Sequence, residues 1–90
     1  STRDIAILCD DEIPVASLEK AIRNAVGKIL ENVTLFDVYK GDQIPSGKKS
    51  VAYSLIMRAS DRTLTDEECD TAMKKAIAAL ENDFGATLRG

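Results

Sequence analysis

Apolar and polar positions alternate over Arg3–Cys9: Ile5, Ile7 and Cys9 fall on one face, Asp4, Ala6 and Leu8 on the other. Successive side chains of a strand point to opposite faces, so the segment predicts a first strand. Asp10-Asp11-Glu12 breaks the pattern. Pro14 suits a first helical turn, and Val15, Leu18, Ile22, Ala25 and Val26 then recur at helical spacing as far as Gly27. A helix that stops at that glycine is expected. Ile29–Lys40 predicts a second strand, with a bend near Glu31-Asn32, and Lys48–Arg58 a third. Between them, Gly41 to Gly47 is a turn punctuated by glycine and proline. Thr65-Asp66-Glu67-Glu68 has the form of a capping box, in which the Thr65 hydroxyl accepts from the Glu68 amide and the Glu68 carboxylate reaches back. Cys69, Ala72, Met73, Ala76, Ile77 and Leu80 then share one side of a second helix, with Lys74, Lys75, Glu81 and Asn82 on the other. Phe84 extends the apolar stripe, Gly85 ends the helix, and Ala86–Arg89 is long enough for a short closing strand.

The element order is β-α-β-β-α-β, which predicts an α+β, ferredoxin-like split βαβ fold: a four-stranded antiparallel sheet with two helices on one face. Alternation assigns Phe36 and Val38 of the second strand to the core, together with Val51, Tyr53, Leu55 and Met57 of the third. The opposite face carries no helix. Leu8, Leu35, Asp37, Tyr39, Ser50, Ala52, Ser54 and Arg58 are expected on it.

Ninety residues make one domain, 1–90, and its start and end on strands suit a module excised from a longer chain. An apolar fraction of 44% with 30% charged residues fits a soluble globular domain. No run reaches transmembrane length, so no membrane partner is expected. Cys9 and Cys69 lie far apart at apolar-periodic positions, which reads as two small buried hydrophobes in a reduced, cytoplasmic setting. There is no histidine, and no nucleophile–base pair, phosphate loop or metal-ligand spacing, so neither catalytic nor metal-binding residues are expected.

The candidate chemistry lies on and beside the bare face. Asp37 can accept hydrogen bonds from a base edge, Tyr39 can stack on a base, and lysines in the adjoining loop can meet phosphates. Ser50 shares the face, with Lys48, Lys49 and Arg58 as phosphate-facing candidates. Together they point to single-stranded RNA. Taken singly, Asp37 reads more readily as a carboxylate paired with Lys40 or Lys49, and Tyr39 as a tyrosine covering a hairpin or packing on another domain. The net charge of −3 differs from the basic excess of general RNA binders, so any RNA contact has to be local. An alternative function is a regulatory or assembly module that binds a small ligand or a protein through the bare sheet. An acylphosphatase-like enzyme would need an arginine in the loop after the first strand, where Asp10-Asp11-Glu12 repels phosphate.

Arg3-Asp4-Ile5-Ala6, Leu35-Phe36-Asp37-Val38-Tyr39-Lys40-Gly41, Ile44-Pro45 with Gly47-Lys48-Lys49-Ser50, and Arg62-Thr63-Leu64-Thr65-Asp66-Glu67-Glu68 occur in an order and spacing that resembles the ferredoxin-fold anticodon-binding domain. That domain closes the β subunit of bacterial phenylalanyl-tRNA synthetase, and single-chain organellar enzymes carry a related one. The resemblance covers essentially the whole chain. It implies a module that grips the anticodon stem-loop of phenylalanine tRNA, with Asp37, Tyr39 and Ser50 contacting the first anticodon base. It also implies as partners the remainder of the β subunit and the α subunit. The parent enzyme uses ATP and magnesium at an active site in the other subunit, so no cofactor is implied for this domain. Thr2 stands where the family commonly has a second arginine.

Overall fold

The computed structural model describes residues 1–89. Its strands are β1 (Thr2–Asp10), β2 (Leu30–Tyr39), β3 (Lys48–Met57) and β4 (Thr87–Leu88), and its helices α1 (Val15–Val26) and α2 (Asp66–Phe84), in the order β-α-β-β-α-β. The strands pair antiparallel in the order β2-β3-β1-β4. The expected fold is thus present.

The ends of the elements follow from local chemistry. Pro14, in extended conformation, precedes α1, whose apolar spacing buries Leu18, Ala21 and Ile22. The capping box forms at the start of α2: the Thr65 hydroxyl accepts from the Glu68 amide, and the Glu68 carboxylate accepts from the Thr65 amide. Gly85 closes the helix in the left-handed region at φ 63, a conformation that costs glycine nothing. Ile29 lies in a short 3-10 turn (Gly27–Ile29) ahead of β2.

A single main cluster joins Ile5 and Ile7 of β1, Val51, Tyr53 and Leu55 of β3, Leu18 and Ile22 of α1, and Ala76 and Leu80 of α2. Both helices therefore cover the same sheet face. Cys9 is a free thiol buried in this cluster, where burial pushes it up, and Cys69 is a free thiol buried in a second, smaller cluster with Met57 and Ala72. The Tyr53 hydroxyl donates to the carbonyl of Val15 at 2.7 Å, joining the sheet to the first turn of α1. Among the described residues, no helix is long and apolar enough to cross a membrane.

Strand β2 departs from simple alternation. Its register against β3 shifts between Leu30 and Asn32 and again between Leu35 and Asp37. The first shift is the bend expected near Glu31-Asn32. The second leaves Phe36 as an extra residue and resets the faces. Leu35 stands opposite Tyr53, and so on the helix side, not on the bare face. Phe36 and Val38 are not core residues: they are 56% and 45% exposed. Phe36 sits in the bulge. Val38 pairs with Val51 on the helix side, but on an edge strand to which the helices contribute little cover.

Candidate nucleic-acid interface

Three sequence-predicted residues meet on the sheet face away from the helices. Tyr39 stands opposite Ser50, and Asp37 opposite Ala52, across the β2–β3 ladder. The same row continues into β1, where Ser50 faces Leu8 and Ala52 faces Ala6. The bulge at Phe36 falls before Asp37, so Asp37 and Tyr39 alternate in step with β3 from there to the hairpin. A carboxylate acceptor, an aromatic ring and a hydroxyl thus share one face.

Two neighbours hold Tyr39. Gly41 lies so close that a Cβ there would come within 2.8 Å of Tyr39 Cζ and closer still to the hydroxyl. Glycine at 41 is therefore what lets the ring fold back against the turn. On the other side is Arg89, whose guanidinium carbon is 5.5 Å from the Tyr39 ring centroid. Arg89 Nη1 also donates to Ser50 Oγ at 3.1 Å, and Ser50 is buried. Sequence reasoning missed Arg89. It lies just past β4, where Leu8 pairs with Thr87 and the Arg89 amide donates to the Ala6 carbonyl. The signal available was its place in the predicted closing strand, but not the register that aims it across the sheet.

The lysines are engaged within the protein. Lys48 pairs with Asp10 at 2.6 Å and Lys40 with Asp11 at 2.7 Å. A hydrogen bond from the Lys40 ammonium holds the Asp11 carboxyl below its ordinary range. Lys49 is buried, and its ammonium donates to the carbonyls of Asp11 at 2.9 Å and Ile13 at 2.5 Å. With the Asp11 amide bonded to the Gly47 carbonyl, these contacts strap the β2–β3 turn to the β1–α1 loop.

Arg58 is not brought to this site. It follows the far end of β3, eight residues from Ser50 (58 − 50), which at strand rise is on the order of 26 Å. There it lies 3.6 Å from Glu31 and lines, with Lys28, Ile29 and Arg62, a cavity of about 390 Å³. Among the described residues, no group of three or more His, Cys, Asp or Glu is placed to hold a metal ion.

An antiparallel ferredoxin-like sheet with helices on one face and an aromatic, a carboxylate and a hydroxyl on the other defines a small α+β domain with one sheet face free of helices. Over residues 1–89 the chain matches the family described as the ferredoxin-fold anticodon binding domain, and it belongs to that family. It is 59% identical over 87 residues to the phenylalanine–tRNA ligase beta subunit of Clostridium tetani, 97% of this chain and 11% of that protein. It is 49% identical over 90 residues to the beta subunit of Thermobifida fusca, 100% of this chain and 11% of that one. With that of Bacillus subtilis it shares 47% over 89 residues, 99% and 11%. The chain therefore spans about a tenth of the length of the curated relatives it matches.

Proposed function

We propose that this chain is the anticodon-reading module of a phenylalanine–tRNA ligase beta subunit, and that it reads through Asp37, Tyr39 and Ser50. The family is one of anticodon-binding domains, and the similar proteins are beta subunits of that ligase. The observation that carries the residue assignment is the register: Tyr39 opposite Ser50, with Asp37 one row away on the same face, which no helix covers. A base can stack on the Tyr39 ring while its edge meets the Asp37 carboxylate and the Ser50 hydroxyl. The module binds and positions. Activation of phenylalanine with ATP and magnesium belongs, on this reading, to the rest of a cytoplasmic synthetase, with the remaining beta subunit and the alpha subunit as its partners.

Lys48 offers phosphates a charge already shared with Asp10, and Lys49 acts as an internal strut. Binding by this chain alone is accordingly weak and depends modestly on salt. Titration with the anticodon stem-loop of phenylalanine tRNA tests the reading. Saturable shifts at Asp37, Tyr39 and Ser50, reduced when the first anticodon base is changed, are expected. Binding that ignores that base refutes the assignment.

A second reading has its own observation. Leu35, Phe36, Val38 and Tyr39 are exposed together along β2, as an edge that docks against protein would be. A Phe36→Glu variant that leaves RNA binding intact but impairs association within the synthetase would favour this assembly role for the edge.

A further inference from the structure

We infer that Arg89 is a positioning residue of the Tyr39–Ser50 pair: its guanidinium fixes the ring and the hydroxyl relative to each other before any ligand arrives. As far as RNA is concerned, the inference rests on the function proposed above.

Geometry supports it first. Arg89 comes from the β4 side of the sheet and Tyr39 from β2, the two edges in the order β2-β3-β1-β4. The Arg89 side chain crosses the intervening strands, donates to Ser50 Oγ at 3.1 Å and ends with its guanidinium carbon 5.5 Å from the Tyr39 centroid. That separation is within cation–π range, and a planar guanidinium over a ring restricts it as an ammonium does not. The root of the side chain is anchored, because the Arg89 amide donates to the Ala6 carbonyl at 2.9 Å. Tyr39, on an exposed edge strand, would otherwise give up rotamer freedom on binding; a ring held between Gly41 and Arg89 has given it up in advance.

Charge pairing supports it independently. Arg3, Arg23, Arg58 and Arg62 each face a carboxylate: Asp66, Glu19, Glu31 and Glu68. Arg89 has no carboxylate partner among the described residues; the groups its guanidinium meets there are the Ser50 hydroxyl and the Tyr39 ring. There is also a chemical consequence. A guanidinium only donates, so Ser50 Oγ accepts from it and keeps its own proton free to donate elsewhere. With Arg89 in place the face offers a ligand the Asp37 carboxylate as acceptor and, as donors, the remaining N–H groups of the exposed guanidinium beside the largely covered Ser50 hydroxyl.

The test compares Arg89→Lys, which keeps the charge but not the plane, with Arg89→Gln, which loses the charge. In isotope-labelled chain without RNA, NMR is expected to show the Arg89 Nε–H resonance shifted by the Tyr39 ring current, and Tyr39→Leu to abolish that shift. Both Arg89 variants are expected to move the Tyr39 ring resonances towards averaged values while the β1 and β3 amides stay put. Titrated with stem-loops carrying the native or an altered first anticodon base, both are expected to lose roughly fivefold in discrimination with an unchanged salt dependence. Tyr39 resonances unmoved by either variant overturn the inference. So does an Arg89→Lys variant that discriminates fully while Arg89→Gln flattens the salt dependence, because Arg89 would then act as a phosphate-facing charge. If the unsubstituted chain itself fails to discriminate, the proposed function falls, and the resonances of the free chain still decide whether Arg89 orders Tyr39.

Discussion

Lys49 Nζ donates to the carbonyl oxygen of Ile13 at 2.5 Å, placing a charged side chain from the start of β3 against the segment that leads into α1. A second bond, to the Asp11 carbonyl, completes the strut. Lys49→Met keeps the apolar stem and leaves two carbonyls without this donor. Since hydrogen bonds to charged groups are worth more than neutral ones, a loss of about 1.5–3 kcal/mol is expected in urea denaturation. Lys48→Met removes only a half-exposed ion pair with Asp10, and below about 1 kcal/mol is expected. Equal losses for the two would show that Lys49 is not the strut.

The fully buried Tyr53 gives the fold an alkaline limit. Burial, with a smaller contribution from the charge of Glu19, pushes its phenol up to about 12. The neutral form is favoured in the folded chain, whereas the unfolded tyrosine ionises near about 10. The associated stability is complete below that value and is lost as pH rises towards 12. Tyr53→Phe is expected to lose about 0.5–1.5 kcal/mol at neutral pH through its bond to Val15, and also to shed this part of the alkaline sensitivity. Denaturation midpoints against pH, measured in a Tyr39→Phe background so that tyrosinate absorbance reports Tyr53 alone, provide the check.

The start of α2 responds to acid instead. The Thr65 backbone N–H, and then Arg62, hold the Glu68 carboxyl below the usual range. A lowered carboxyl contributes stability that is present above the unfolded glutamate value of about 4.3, and that is lost as pH falls through the lower folded value. Glu68→Gln is expected to remove that dependence, seen in helix content followed through an acid titration. Thr65→Ala costs about 1 kcal/mol at neutral pH by loss of the N-cap. The fully buried Leu80 sets the scale on the same helix: Leu80→Ala is expected to cost roughly 2–5 kcal/mol by leaving a cavity.

Which features were legible in the sequence depended on how local they were. The capping box at Thr65 and the stop at Gly85 involve residues within a few positions of one another, and both formed. The core of β3 was legible because that strand has a partner on each side and Val51, Tyr53, Leu55 and Met57 alternate without interruption. Strand β2 was only half legible. A bulge belongs to a pair of strands, so nothing in Leu35-Phe36-Asp37 by itself reveals the extra residue that turned Leu35 to the helix side and left Phe36 exposed. Asp37, Tyr39 and Ser50 came together as expected because that irregularity precedes Asp37. Lys49 read as a phosphate-facing candidate because its acceptors, Asp11 and Ile13, are nearly forty residues away in sequence. The reach of Arg89 depended on the register of a two-residue strand, which no periodicity encodes.

Gly41 offers a way to disturb Tyr39 without touching a residue assigned to the site. In Gly41→Ala the new methyl would meet the Tyr39 Cζ and hydroxyl, and the ring, as the movable partner, has to swing away. Stability is expected to change little, since the turn is exposed. Binding of the anticodon stem-loop is expected to weaken, by less than the loss of about 1–3 kcal/mol for Tyr39→Ala if a base stacks on the ring. Asp37→Ala is expected to behave differently, because it removes an acceptor and not a stacking surface: discrimination at the first anticodon base relaxes while overall binding falls less. The measurement is parallel titration of the three variants with native and base-altered stem-loops, with urea midpoints as the folding control. Gly41→Ala that binds as the unsubstituted chain does would mean that the orientation of Tyr39 against the turn is irrelevant to recognition. Tyr39→Ala and Asp37→Ala that remain folded and discriminate normally would leave the bare sheet face to a protein partner.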